Sequence, residues 1–534
     1  MSAGDILGVE PGPLCEPLSG REWTGGVVRH QSRFRAEHYR AGGVGPGDLV
    51  FVHFGNTLEF FADLLALWSL GACVAPVDPR LTLFEIETLA RAAAPRFSLW
   101  SADPPGEVAG LLAALGVTLL ESPDGRERQG NTGETSWPSA QPVLDHDALV
   151  LFTSGSTGQP KGVVHTHRSL LARWMSLRAH VGIQSLRRTL CLLPTHFGHG
   201  LICNALYPWL SGQRLAIVPA HRADLALQLG ALVDEQRITF MSSVPALWRL
   251  ALRTARAPRG GTLERVACGS APLSAAMWQE IGGWAGGAPV SNVYGITETA
   301  SWLAGTAPDT VPEDGLVGDP WGSSLMIVSG DSGPGSVEPN RACETGEPGR
   351  VWVRTPALMR GYLGRDDLTA VAVRGGWLAS GDIGLLDERG RLYLRGRERD
   401  EINRGGLKVY PADIDAVVER FDETLDSCTF GYDDGLGQEE VGVAVVLRAA
   451  DAGAVGRLYA WARRHLAAHQ MPRRWYVVDE IPRTSRGKVN RAQVGARCES
   501  LRPVDPRALH EATKGPLCGK APVPLADDGV IGGD

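Results

Sequence analysis

Residues 153–162 read Thr-Ser-Gly-Ser-Thr-Gly-Gln-Pro-Lys-Gly: three glycines, four hydroxyl side chains and one lysine, set between the apolar runs 148–152 and 163–164. This segment constrains the fold more than any other. Two β-prone runs are joined by a loop that bends tightly and offers backbone N–H groups, hydroxyls and one cation to a polyphosphate. It is not the common P-loop, in which Gly-Lys is followed by Ser or Thr, because Pro160 precedes Lys161 and Gly162 follows it. A flexible Ser/Gly linker is the alternative. A linker, however, seldom lies between two apolar β-prone stretches or leaves through Pro-Lys-Gly.

At 534 residues the chain is too long for one core, and two to four domains are expected. Its composition, 43% hydrophobic and 21% charged, is that of an ordinary soluble globular protein. A net charge of −7 gives no reason to expect nucleic acid or an anionic membrane surface as a partner. The nine cysteines include no C-x-x-C pair, so neither a zinc cluster nor a disulfide framework is suggested. Residues 1–13 lack the basic flank and apolar centre of a signal peptide, and no apolar run reaches the length of a membrane span. A cytoplasmic protein is expected.

An amphipathic helix is predicted over 58–70, ended by Gly71, followed by a buried strand over 72–77 closed by Asp78-Pro79. A second helix over 83–93 and a strand over 96–100 continue the alternation, which argues for α/β layers with mostly parallel strands. The polar, turn-rich stretch 122–142 reads as an exposed loop. Further α/β units are marked by a helix at 224–235 and strands at 238–242 and 265–268. From about 315, short strands such as 350–354 and 391–395 alternate with Gly and Pro turns, which suggests antiparallel structure. A charged strip at 396–400 then precedes an α+β pattern with a helix at 411–421, a strand at 441–447 and a helix at 454–470. These readings give a core at 20–397 and a second domain at 398–492. A Pro/Ala/Gly-rich tail at 493–534 is expected to be disordered.

Four further stretches fit with the first. Gly269-Ser270-Ala271-Pro272 follows a strand and is small enough for a flat base to lie against its backbone, although an ordinary strand–turn reads the same way. Tyr294-Gly295-Ile296-Thr297-Glu298 puts an aromatic ring, a hydroxyl and a carboxylate within five positions, suited to stacking on a base, touching phosphate and holding Mg2+. The run 376–382 ends in Asp382, which could accept hydrogen bonds from two ribose hydroxyls. The run 482–488 brings Lys488 on a glycine-flexed loop, or is simply a solvated charge run.

Together, in this order and spacing, these five stretches resemble the adenylate-forming superfamily of acyl- and aryl-CoA synthetases, peptide-synthetase adenylation domains and luciferases. The resemblance spans about 27–491. It implies a large N-terminal domain of two helix-flanked sheets plus a small β-barrel, and a small mobile α+β C-terminal domain. It also implies roles for single residues. Thr153, Ser154, Gly155, Ser156, Thr157, Gly158 and Lys161 would close over the phosphates of ATP. Gly269, Ser270, Ala271, Pro272, Tyr294 and Gly295 would flank the adenine. Thr297 would touch the α-phosphate and Glu298 would hold Mg2+. Asp382 would bind the ribose with Arg397 beside it, and Lys488 would reach the α-phosphate and the substrate carboxylate. Arg399 stands at the hinge position, where the family usually has Asp or Lys.

The acid pocket is implied in 194–200, with the gate position on Phe197 and His196 and His199 on either side. The two histidines fit a gate, or equally well satisfied structural groups. No Asp occurs there to hold an α-ammonium, which argues against an amino-acid substrate. Trp302 falls where pocket-lining residues are expected, and its bulk suggests a short or ring-containing acid; a core Trp fits the same position. The activity implied is ATP-dependent formation of an acyl-adenylate, with coenzyme A as the acceptor. The alternatives are an amine acceptor or a free-standing carrier protein, since 489–534 is shorter than the ~50 residues of a small domain. An inactive nucleotide-binding scaffold is the third reading. The chain has no G-x-S-x-G elbow and no H-E-x-x-H, so serine-hydrolase and zinc-hydrolase chemistry find no motif.

Overall fold

The hydroxyl of Thr57 accepts the Phe60 N–H and starts the helix Leu58–Ser69, in which every residue except Glu59 is buried. A helix apolar on all faces must lie between layers. This one packs in a core cluster with Val50 and Leu149 of one sheet and Leu215 and Phe240 of another. A computed structural model of the chain describes residues 10–123, 144–154, 160–219, 224–329, 342–404, 407–435, 438–448, 452–483 and 488–506.

The first sheet has the order Gly361–Tyr362, Pro160–Thr166, Asp147–Ser154, Cys73–Pro76, Leu49–Val52, Phe97–Trp100, Thr118–Glu121. From Asp147–Ser154 onward its neighbours are parallel, and the first two strands run antiparallel to theirs. The second sheet has parallel strands Leu14–Glu16, Arg214–Ile217, Arg188–Cys191, Phe240–Ser243, Arg265–Gly269 and Val290–Ile296. It continues as antiparallel strands through Ser301–Gly305, Leu316–Pro320, Leu392–Arg397, Trp377–Leu386, Gly349–Arg354 and Ser324–Val328. The α/β class expected from the alternation is the observed one. The predicted change to antiparallel pairing near 315 falls earlier, at Ser301. There two successive non-glycine residues, Ala300 (φ 53°) and Ser301 (φ 74°), turn the chain back on itself.

The helix predicted over 83–93 is Leu83–Ala93, started by a reciprocal cap in which Thr82 and Glu85 each satisfy the other's backbone N–H. The polar loop predicted at 122–142 lies almost wholly outside the described residues. No described helix is long and apolar enough to cross a membrane.

The chain divides into two compact units, Met1–Glu398 and Arg399–Asp534. In the second, the hairpin Thr424–Asp433/Glu439–Leu447 pairs in parallel with Arg474–Val477, and helices Pro411–Glu419 and Ala452–His465 cover a core of Val441, Val443, Leu458 and Trp475. The helix predicted to reach 470 stops at His465. The Gln470 side chain caps a separate turn at the Ala467 N–H, and Pro472 follows. The disordered tail expected from 493 needs a correction. Arg491–Glu499 is a helix capped by Asn490, with Val494 and Cys498 buried beside Phe430, and Val504 bridges Trp475. Its apolar face is only two residues long, too short to show a period in sequence. Residues 507–534 lie outside the described part.

Candidate active site

The strand Asp147–Ser154 pairs with Pro160–Thr166 so that Thr153 faces Lys161. Gly155, Ser156, Thr157 and Gly158 lie outside the described residues, as does the Ser154 side chain. The described base of the glycine-rich loop is therefore Thr153 and Lys161, and the Lys161 ammonium sits 5.2 Å from the centre of the Tyr362 ring.

In the second sheet the parallel strands Arg265–Gly269 and Val290–Ile296 bring Gly269 beside Val293. A Cβ on Gly269 would lie 2.3 Å from the Val293 carbonyl oxygen, so only glycine fits where the chain leaves the strand. Ser270 follows with φ 68°. Gly295 meets a similar limit: a Cβ there would lie 2.1 Å from the Ser301 oxygen.

Thr297–Thr299 is one tight turn, and buried side chains hold it by its carbonyls. His165 Nε2 is 2.7 Å from the Thr297 oxygen. Arg173 donates to the Thr299 oxygen at 3.0 and 3.2 Å and to the Trp321 oxygen at 2.9 Å. The Met359 N–H donates to the Glu298 oxygen at 2.8 Å. Burial pushes the His165 imidazole down to about 4, and the Arg173 guanidinium down to about 10, so the first is neutral and the second still charged near neutral pH. None of these residues was singled out from sequence. The one signal was that Arg173 falls in the apolar stripe Leu170, Trp174, Leu177 of its helix. Replacing Arg173 with methionine leaves the Thr299 and Trp321 carbonyls buried without donors. We expect a loss of about 3 kcal/mol or more, read from denaturant unfolding; an unchanged midpoint would mean that these bonds contribute nothing to the fold.

The Glu298 carboxylate accepts from the Tyr362 hydroxyl at 2.9 Å through Oε1, and Oε2 has no partner among the described residues. Among the described residues no cluster of three His, Cys, Asp or Glu exists. One hard carboxylate oxygen fits an ion that takes most of its ligands from phosphate and water, as Mg2+ does. Asp382 is 4% exposed and lies opposite Arg397 in the strand pairing. Arg397 Nε is 2.9 Å from its Oδ1, and the Tyr294 hydroxyl donates to its Oδ2. The expected adenine and ribose residues are thus in direct contact. Burial and the Asp382 charge hold the Tyr294 phenol far above its usual value, so it remains a donor.

The segment expected to form the acid pocket separates its two histidines. His196 Nε2 is 3.4 Å from Asp78 Oδ2. Partial burial would raise the Asp78 carboxyl, but hydrogen bonds from Arg80 and the nearby His196 bring it down to about 2. Phe197 stands edge-on to the His196 ring at 5.3 Å. His199 opens the π-helical stretch His199–Leu206, all of it buried. Its ring nitrogens lie 2.7 Å from Ser270 Oγ and 2.5 Å from Ser242 Oγ. Burial takes it down to about 3, so His199 is a satisfied neutral imidazole linking this segment to the turn after Gly269. Trp302 is 3% exposed, stands T-shaped to His199 at 5.3 Å, and its Nε1 has no hydrogen-bond partner among the described residues. Arg399 is exposed at the first position of the second unit, with its Nε 3.6 Å from Asp400. Lys488 belongs to that unit and is exposed.

An aromatic–carboxylate–guanidinium trio, a pinned Thr-Glu turn and a lysine at the foot of a glycine-rich loop are groups suited to a nucleotide and its phosphates. Residues 15–363 match the AMP-binding enzyme model and residues 413–488 the AMP-binding enzyme C-terminal domain. The chain belongs to the AMP-binding enzyme family. It is 28% identical over 465 residues to the oxalate–CoA ligase of Arabidopsis thaliana, covering 84% of this chain and 88% of the relative. To the 2-succinylbenzoate–CoA ligase of Bacillus pumilus it is 30% identical over 459 residues, with 84% and 88% covered. The solved structure of the amide bond synthetase McbA from Marinactinospora thermotolerans superposes with a TM-score of 0.81 at 25% identity, covering 93% of this chain and 99% of that one.

Proposed function

We propose that this protein joins a carboxylic acid to ATP as an acyl-adenylate and passes the acyl group to the thiol of coenzyme A. In the first step a carboxylate oxygen attacks the α-phosphorus, and the bond to the β-phosphate bridging oxygen breaks as pyrophosphate leaves. In the second step the thiolate attacks the acyl carbon and AMP departs. The observation that carries this reading is the convergence of Tyr294, Asp382 and Arg397 with the pinned Thr297–Glu298 turn inside one unit.

Asp382 is poised to accept ribose hydroxyls, with Arg397 fixing its orientation. Thr297 offers a hydroxyl to the α-phosphate, and Lys161 offers a cation to the phosphates beyond it. Mg2+, held by Glu298, would neutralise phosphate charge. Lys488, from the second unit, is the residue proposed to neutralise the α-phosphate as charge builds there, and Arg399 is the proposed hinge. The neutral His199 and the indole N–H of Trp302 favour an acid without an ammonium group, because neither offers it a counter-charge.

Transfer to an amine is the second reading, favoured by the likeness to the amide bond synthetase. The test is a panel of carboxylic acids assayed for pyrophosphate release, followed by addition of CoA or of amines. The expected result is release with an organic acid and a thioester once CoA is added. No release with any acid would sink the adenylation reading, and release without thioester would move the acceptor to an amine or a carrier thiol.

A further inference from the structure

Tyr362 touches both charged groups at the phosphate end of the site. Its hydroxyl donates to Glu298 Oε1 at 2.9 Å, and its ring face lies 5.2 Å from the Lys161 ammonium. The residue is 8% exposed. Its backbone is fixed as firmly. Gly361–Tyr362 pairs with Val163–Val164 in the strand that carries Lys161, and the Tyr362 N–H donates to Thr369 Oγ1 at 2.9 Å. The Leu363 N–H donates to the Gly162 oxygen and the Met359 N–H to the Glu298 oxygen, both at 2.8 Å. The strap 359–363 therefore stitches the exit of the glycine-rich loop to the Thr297–Glu298 turn, which comes from the other sheet.

We propose that Tyr362 is a positioning residue for metal-bound ATP. Its hydroxyl fixes one oxygen of the Glu298 carboxylate and leaves Oε2 for the cation, and its ring holds Lys161 for the phosphates. This deepens the adenylation reading and rests on it. A carboxylate anchored through one oxygen presents the other without ordering cost, and a cation over an aromatic face keeps its charge while losing its freedom to wander. Without the hydroxyl, Glu298 must order itself as the metal arrives. Without the ring, Lys161 is also released.

The test compares wild type, Tyr362→Phe and Tyr362→Leu. ATP affinity is measured by calorimetry with Mg2+ and with a chelator, alongside thermal midpoints and the Mg2+ dependence of ATP–pyrophosphate exchange. Phe keeps the ring, so affinity in chelator is expected to match wild type. The gain in affinity on adding Mg2+ should shrink ~3–10-fold, and half-maximal exchange should need that much more Mg2+. Leu should show the same defect and also lose ~3-fold or more of the affinity in chelator. An undiminished Mg2+ gain in the Phe variant overturns the role of the hydroxyl, and Leu matching Phe in chelator overturns the role of the ring. Absence of exchange in wild type with every acid would instead strike the adenylation reading itself.

Discussion

Replacing Lys488 with alanine is expected to slow acyl-adenylate formation by about 10²–10³-fold while leaving ATP affinity and the thermal midpoint nearly unchanged. The step joins two anions, a carboxylate and the α-phosphate, and charge builds on non-bridging oxygens as the new bond forms. A cation that acts there lowers the barrier far more than it tightens the ground state. The side chain is exposed, so its removal should cost the fold little. The residues flanking the segment are tied down independently: Arg483 forms an ion pair with Asp426 at 2.6 Å and bridges Val489. The measurement is single-turnover adenylation beside calorimetric ATP binding. A companion assay supplies preformed acyl-adenylate with CoA, where the variant should still form thioester. Near-normal ATP–pyrophosphate exchange would remove Lys488 from the mechanism.

Mild acid should unfold the first unit well before the carboxylate range. His53, His165, His167 and His199 are each 5% exposed or less. Burial pushes His53 and His199 down to about 3, and His165 and His167 down to about 4. With folded values below the ordinary ~6.5, these groups contribute stability that is fully present above pH ~6.5. As pH falls from there toward 4 and 3, the unfolded chain takes up protons that the folded one refuses. Once all four unfolded imidazoles are charged, the slope approaches ~5 kcal/mol per pH unit, against a typical total of ~5–15 kcal/mol. Asp63, raised by burial to about 6, and Asp147, also raised by burial, work in the opposite sense, but they are two groups against four. Unfolding midpoints followed from pH 7.5 to 5 should fall steeply below about 6, and a flat profile would refute the account. His53 offers a sharper check. It stacks on Trp100 at 4.0 Å, and neither ring nitrogen has a hydrogen-bond partner among the described residues. His53→Phe should keep the stack, raise stability at neutral pH and reduce the slope by ~1.4 kcal/mol per pH unit.

Local chemistry was legible in the chain. The helix Leu83–Ala93 could be placed because it continues the alternation of helix and strand and ends before Pro95. The short helix Arg491–Glu499 could not, since two buried residues carry no period. Tyr294, Glu298, Asp382 and Arg397 stood out because each lies in a compact run of unusual residues. His165, Arg173 and Tyr362 did not, because what each does depends on a partner 64 to 132 positions away.

The sequence by itself determined the family, the α/β alternation and the residues suited to nucleotide chemistry, since these rest on short-range patterns of glycine, hydroxyl and charge. Only the tertiary structure decided how those residues are held. It made His199 a neutral link between Ser242 and Ser270 and set His196 on Asp78. It also placed a buried guanidinium beneath the Thr-Glu turn and gave Tyr362 two charged neighbours. Burial and hydrogen-bond direction are properties of what surrounds a side chain, and residues far apart in the chain become neighbours only when the sheets pack.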